Sequence, residues 1–186
     1  MGQSNISIEL GLQIANDSIL QWLRRGHTVA QFSQAAQCIK SAGLELTVHM
    51  ILGLPGQTGD DVQASAVLLN ELGVDAVKLH NFHVVHHTPL SRLYKRAPFP
   101  LPTREDYIRD VIFFLECLSP SIVIQRLLAD VPARYLLAPL WMGQKQLNIQ
   151  LIEQELMQRD TYQGRLVTNA LETGLQAGLE PVVLAH

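Results

Sequence analysis

HMILGLPGQTGDD, residues 49–61, passes without a break from strand to glycine turn to helix cap. Val48, Met50 and Leu52 alternate with Thr47, His49 and Ile51, the period of two that gives a strand one oily and one mixed face. Gly53 stops the strand. Gly53, Pro55 and Gly56 suit a tight turn whose backbone can approach a ligand, since glycine lacks a Cβ and proline fixes φ. Thr58 is the natural N-cap of the next helix, and Asp61 three residues on completes a capping-box pattern, with Asp60 and Asp61 at the positive end of the helix dipole. By itself this unit joins strand to helix in many α/β proteins, and no lysine follows the glycines as a phosphate-binding P-loop requires.

The same rhythm extends in both directions. Upstream, Ile6, Ile8, Leu10 and Leu12 alternate with Ser7, Glu9, Gly11 and Gln13 as a first strand. Asn16 or Asp17 caps a short helix that ends at Gly26, and Thr28 caps a second with Val29, Phe32, Ala36 and Ile39 on one stripe and Gly43 as terminator. Downstream, Val62, Ala66, Leu69 and Leu72 mark a helix ending at Gly73, and Ala76 to His83 reads as a third strand. Such alternation predicts parallel strands with right-handed crossovers, hence an α/β fold: an open sheet or part of a (β/α) barrel. Leu10, Leu12, Val48, Met50, Val77 and Leu79 share an oily face, whereas Glu9, Gln13, Thr47, His49, Lys78 and His80 line the other. Parallel sheets are normally covered on both sides, so a polar second face suggests a cofactor-filled lumen, the alternative being an edge region with one solvated face.

Further on, Thr88-Pro89 and PFPLP (98–102) flank a short helical piece, Leu90 to Lys95, and Lys95-Arg96 reads as a solvated turn. Thr103, with Asp106 at the third position, caps a long helix carrying Ile108, Val111, Ile112, Leu115 and Leu118. Ser119-Pro120 ends it. Ile122 to Leu127 is read as a fourth strand, with Arg126, Asp130 and Arg134 near its end serving either a site or surface ion pairs. Leu147, Ile149, Ile152 and Leu156 give a last helix, and residues 165–186 form a faintly patterned tail expected to be weakly ordered.

Composition narrows the function classes. With 186 residues, 20.7 kDa and 47% hydrophobic residues, the chain can bury one domain core. A net charge of -3 and a pI near 6.1 supply no general field for nucleic acid, so RNA affinity would need a local patch. Cys38 and Cys117 read as ordinary thiols rather than a disulfide or metal pair, and His80, His83, His86 and His87 have no established zinc spacing. No metal site is expected from these residues. MGQSNIS lacks a signal core, and no run nears the ~20 apolar residues of a membrane span, so a soluble, cytoplasmic protein is expected.

Three runs carry a resemblance: IELGLQIANDSILQWLRRGHTV (8–29), HMILGLPGQTGDD (49–61) and VKLHNFHVVHHTPLSRLYKRAPF (77–99), with Tyr162, Gln163 and Gly164 near the end. Together they resemble the C-terminal part of radical S-adenosylmethionine enzymes, closest to the small bacterial branch related to the radical domain of the elongator catalytic subunit. The resemblance covers residues 6 to 164. It implies, over residues 1–164, the C-terminal half of a partial TIM-like (β/α) barrel with parallel strands and a helical extension. In such enzymes a 4Fe-4S cluster binds S-adenosylmethionine and cleaves it reductively to a radical that takes hydrogen from substrate, here tRNA or another RNA. By similarity to the oxygen-independent coproporphyrinogen dehydrogenases, Gln13 would touch the ribose and Arg25 the methionine carboxylate, a task suited to a bidentate guanidinium. His49 stands where those relatives carry an aspartate and would meet ribose or adenine. Gly53, Leu54 and Pro55, and Asn81 to His83, would flank the adenine through backbone groups, with His80 a secondary candidate. The family's three cluster cysteines have no counterpart here, so the resemblance implies a fragment, inactive alone, that pairs with a missing N-terminal half-barrel or with itself through Ile6 to Gln13. Two other readings stand beside it: an inactive binding or scaffold module, and an unrelated α/β protein whose GLPG loop binds a phosphate ester.

Overall fold

The computed structural model describes residues 6–167. Strand β1 (Ser7–Gln13) leads through α1 (Asp17–Trp22) and α2 (Val29–Ser41) to β2 (Glu45–Leu52), then α3 (Gly59–Glu71) and β3 (Ala76–Asn81). After β4 (Val84–Val85), α4 (Pro89–Arg96) and α5 (Arg104–Cys117) come β5 (Val123–Arg126), β6 (Leu136–Ala138), a 3-10 turn (Leu140–Gly143) and α6 (Lys145–Gln158). The main sheet runs β1-β2-β3-β5, every neighbouring pair parallel. The α/β reading with parallel strands therefore holds, and so does the helical C-terminal part.

The oily face predicted from alternation is the core. Leu12, Leu46, Val48, Met50, Val77 and Leu79 are fully buried against Phe32, Ala36, Ala66, Leu69, Val111 and Ile112 from the helices. Each such side chain contributes roughly 1.5–3 kcal/mol on leaving water, which is why register is fixed: a slip by one residue would trade this face for the polar one. The caps formed where the threonines foretold them. Thr28, Thr58 and Thr103 each accept from the third backbone N–H and donate their own backbone N–H to that residue's side chain.

Several boundaries differ from expectation. α1 stops at Trp22, short of the expected Gly26, and Arg24 two residues on takes the left-handed conformation (φ 56). The third strand ends at Asn81, not His83, and the chain then turns so that Val84 and Val85 pair antiparallel with Leu136–Ala138, a two-stranded element too short to show periodicity. The short helix begins at Pro89, one residue before the expected start, with Thr88 as its cap, and Lys95 and Arg96 lie exposed in its last turn rather than in a separate turn. Residues 165–167 are helical; the rest of the expected tail, 168–186, lies outside the described residues.

The end of the sheet opposite the glycine turn is locked by polar clips. Asn70 of α3 donates to Cys117 O (2.9 Å) and accepts from Ser119 N (2.8 Å). Gln163 Nε2 donates to Ser119 O (2.7 Å) and Ile122 O (2.8 Å), and Thr161 Oγ1 to Glu116 (2.5 Å). The Tyr162-Gln163-Gly164 signature is thus a fastener at the α5–β5 turn. No helix of the described residues is long and apolar enough to cross a membrane.

Candidate functional site

A row of polar side chains crosses the second sheet face, one or more from each strand. Lys78 of β3 donates to Glu9 of β1, and His49 of β2 donates through Nε2 to Glu9 Oε2 at 2.7 Å. His49 Nδ1 lies 3.1 Å from His80 Nε2, and Arg126 of β5 donates to His80. The register explains the row: Gly11 is level with His49, His49 with Lys78, and Lys78 with Arg126. Hydrogen bonds from Lys78 and then His49 hold the Glu9 carboxyl below its usual range. Burial, followed by the Arg126 charge, pushes His80 down to about 4, so at neutral pH its ring is an uncharged acceptor for the guanidinium.

At the C-terminal end of β1 the chain bulges between Gly11 and Gln13, and Gln13 takes φ 73. That conformation is unusual for glutamine and folds its side chain back over Gly11. Gln13 is buried. A Cβ placed on Gly11 would collide with Gln13 Nε2 and lie 3.0 Å from Arg25 Nη2, which itself sits 3.5 Å from Gly11 O. Gln13 and Arg25, distant in sequence, therefore converge over one glycine at a strand end, the position where open α/β sheets place ligand groups.

The other expected residues divide. Gly53 (φ 79) lies against Pro102, whose Cγ would be 2.5 Å from an added Cβ, so its glycine is required by packing within the fold. Leu54 is buried with Ile14, Ile19, Leu20 and Phe82; its N–H is taken by Gln57 Oε1 (3.1 Å) and its carbonyl by Gln57 N (3.0 Å). The GLPG loop consequently spends both Leu54 backbone groups internally, and Pro55 has no N–H to offer. Asn81 is 1% exposed with neither side-chain atom partnered, and alternation places it on the face of Val77 and Leu79, away from His80; its carbonyl accepts from His83 Nδ1 at 2.8 Å. His86 and His87 face each other at 6.0 Å, apart from His80. Asp130 pairs with Lys145 (3.2 Å) and Arg134 lies over the Tyr135 ring, so of the three charges at the end of β5 only Arg126 joins the row. Sequence reading placed Glu9 and Lys78 on this face without naming them as site residues. Their place on the same sheet face as His49, with acid and base side by side, is the signal that could have done so.

A cluster-binding set is not present in the described residues. Cys38 is exposed on α2, Cys117 is buried at the end of α5 with its thiol pushed up by burial and by Glu116, and no three His, Cys, Asp or Glu side chains gather where they could hold a metal. An iron-sulfur cluster needs several thiolates, so these residues do not fit it.

The fold is that of the parallel α/β class, in which the crevice at the C-terminal ends of the strands is the usual place for a ligand. The Radical SAM superfamily model matches residues 1–69 and the Radical_SAM C-terminal domain model residues 74–158; the chain belongs to the radical SAM superfamily. An uncharacterized protein of Methanocaldococcus jannaschii is 34% identical over 86% of this chain and 50% of its own length, and YtqA of Bacillus subtilis is 27% identical over 85% and 49%. The tRNA uridine(34) acetyltransferase of Methanocaldococcus jannaschii is 30% identical over 68% of this chain and 24% of its own length. Among solved structures, Methanocaldococcus infernus Elp3 with an N-terminal deletion superposes with a TM-score of 0.71 at 22% identity, over 83% of this chain and 36% of that one, a likeness of fold. The chain spans about half the length of the first two relatives.

Proposed function

We propose that this chain forms the S-adenosylmethionine-binding wall of a radical SAM enzyme, the C-terminal half of a partial barrel. The observation that carries the reading is the meeting of Gln13 and Arg25 over Gly11. There Arg25 would hold the methionine carboxylate, Gln13 the ribose, and His49, anchored by Glu9, the ribose or adenine. The backbone of Asn81 to His83 would line the adenine. Gly53, Leu54 and Pro55 would support it by shape, since the Leu54 N–H and C=O already bond to Gln57. When bound alongside a cluster, S-adenosylmethionine supplies a carbon radical; in this chain the named residues bind and orient it. The cluster thiolates would come from another segment or chain, which makes the chain alone an inactive binding module. tRNA or another RNA is the substrate class we favour, on the strength of the acetyltransferase relatives, and the free cysteines accord with a cytoplasmic setting.

The test is calorimetric titration of the purified chain with S-adenosylmethionine, beside anaerobic reconstitution with iron and sulfide. Binding is expected in the wild type and about tenfold weaker in Arg25→Gln, the scale of one lost charge-assisted pair, with no cluster absorption in either. Equal affinity in wild type and Arg25→Gln would remove the assignment, and a stable cluster would overturn the reading of the cysteines.

A further inference from the structure

Arg126 is the one member of the polar row whose charge is left uncompensated. Its guanidinium meets only the neutral His80 ring, its Nε is buried with no acceptor, and no carboxylate of the described residues lies within ion-pair distance. A half-buried guanidinium without a counter-ion is unfavourable, and its planar fork matches a carboxylate or phosphate. Arg126 also lines an open depression of about 560 Å³ beside β5, walled by Leu115, Ile124, Leu128 and Leu156 and by the polar side chains of Gln125, Gln163 and Lys145. A largely apolar depression with a guanidinium at its border takes a ligand that is apolar in body and charged at one end.

We propose that this depression is a binding site for a small amphipathic oxyanion, a carboxylate or phosphate carried on an apolar body, with Arg126 taking the anionic head and the leucine-lined wall the rest. Lys145 is held by Asp130 at 3.2 Å, which compensates its charge, so Arg126 makes the direct contact. The site lies on β5, at the opposite edge of the sheet from the meeting of Gln13 and Arg25, and it is joined to that position only through His80, which touches both Arg126 and His49.

The experiment is a titration of the full chain with acetate, benzoate and phenyl phosphate, followed by the backbone amide resonances of Ile124, Gln125 and Leu127, which line the same site and remain in every variant. Saturable shifts are expected for benzoate or phenyl phosphate, whichever head group suits the fork, at least about tenfold tighter than acetate because the ring leaves water. Arg126→Gln should lose that affinity, Arg126→Lys should keep part of it, and Arg25→Gln should leave it unchanged. Equal, unsaturable responses to acetate and benzoate would overturn the proposal. So would an Arg126→Gln chain, folded by circular dichroism, that titrates like the wild type. Displacement of benzoate by S-adenosylmethionine would show the oxyanion position to be part of the other site, which also defeats it.

Discussion

Two glycines near the site make opposite demands on a side chain, and the difference separates packing from binding. At Gly53 both the backbone (φ 79) and the rigid ring of Pro102 oppose a Cβ, so Gly53→Ala is expected to cost about 2–4 kcal/mol in denaturant unfolding. At Gly11 the obstructing atoms are the far ends of Gln13 and Arg25, which can swing away. Gly11→Ala should therefore cost less than about 1 kcal/mol yet weaken S-adenosylmethionine binding by displacing both groups; unchanged affinity would mean that they do not act there. Sequence pattern could name Gln13 and Arg25 only through the resemblance, because the bulge and the left-handed φ that bring them together leave no periodic trace. His80 adds a pH effect of determinate sign. Its folded-state ring titrates at about 4 against an ordinary 6.5, so between these values the unfolded chain binds more protons. Its contribution to stability is complete above pH 6.5 and falls away as pH drops toward 4. His80→Gln, which keeps an acceptor for Arg126, should flatten urea-unfolding free energy across that window and leave the carboxylate-driven loss below it.

At the scale of elements, the carboxylate of Asp61 ties two helices to one strand end. Its Oδ2 closes the α3 capping box with Thr58 N (2.8 Å), while its Oδ1 accepts from Asn16 Nδ2 (2.7 Å), the cap residue of α1. Ser65 adds a second tie, accepting from Ala15 N at 2.9 Å and donating to Asp61 O at 2.7 Å. Burial acts to raise the Asp61 pKa, but the bonds from Asn16 and Thr58 outweigh it and hold the group below its usual value. Asp61→Ala is expected to lose about 1–3 kcal/mol, against about 1 kcal/mol for Thr58→Ala, and the Asn16→Ala/Asp61→Ala double mutant should lose less than the sum. Additive losses would show that the two caps are independent. Here the sequence was legible where chemistry is local: threonine followed by a carboxylate or amide three residues on marks a helix start whatever surrounds it. It was illegible where a partner decides, as at Val84–Val85, which is a strand only because Leu136–Ala138 lies beside it, and at Asp61, whose bond to Asn16 crosses from one helix cap to another.

For the whole molecule the governing fact is that the sheet has two edges. Among the described residues β1 pairs only with β2 and β5 only with β3, so no described strand covers the outer side of either. Ile6 at 54% exposure and Val123 at 59% flank those edges with apolar surface. Closed barrels have no such edges, and an open edge bordered by hydrophobic side chains is a template for another strand. The alternation of oily and polar residues announced the two-faced sheet, but which strands stand at its ends depends on sheet order and cannot be read from any one strand. We expect the chain to associate through β1 or β5, with sedimentation velocity showing a shift in mass as concentration rises through the micromolar range, or to precipitate there. A lysine at either edge opposes pairing by charge and hydration, so Ile6→Lys combined with Val123→Lys should restore a monomer without disturbing the buried face, since both positions are exposed already. A wild-type chain that sediments as a single monomer at about 100 µM would show that its edges are protected within the chain itself. In that case the half-barrel reading loses its physical motive for a partner strand, and the polar row from Glu9 to Arg126 would have to be explained as a solvated face.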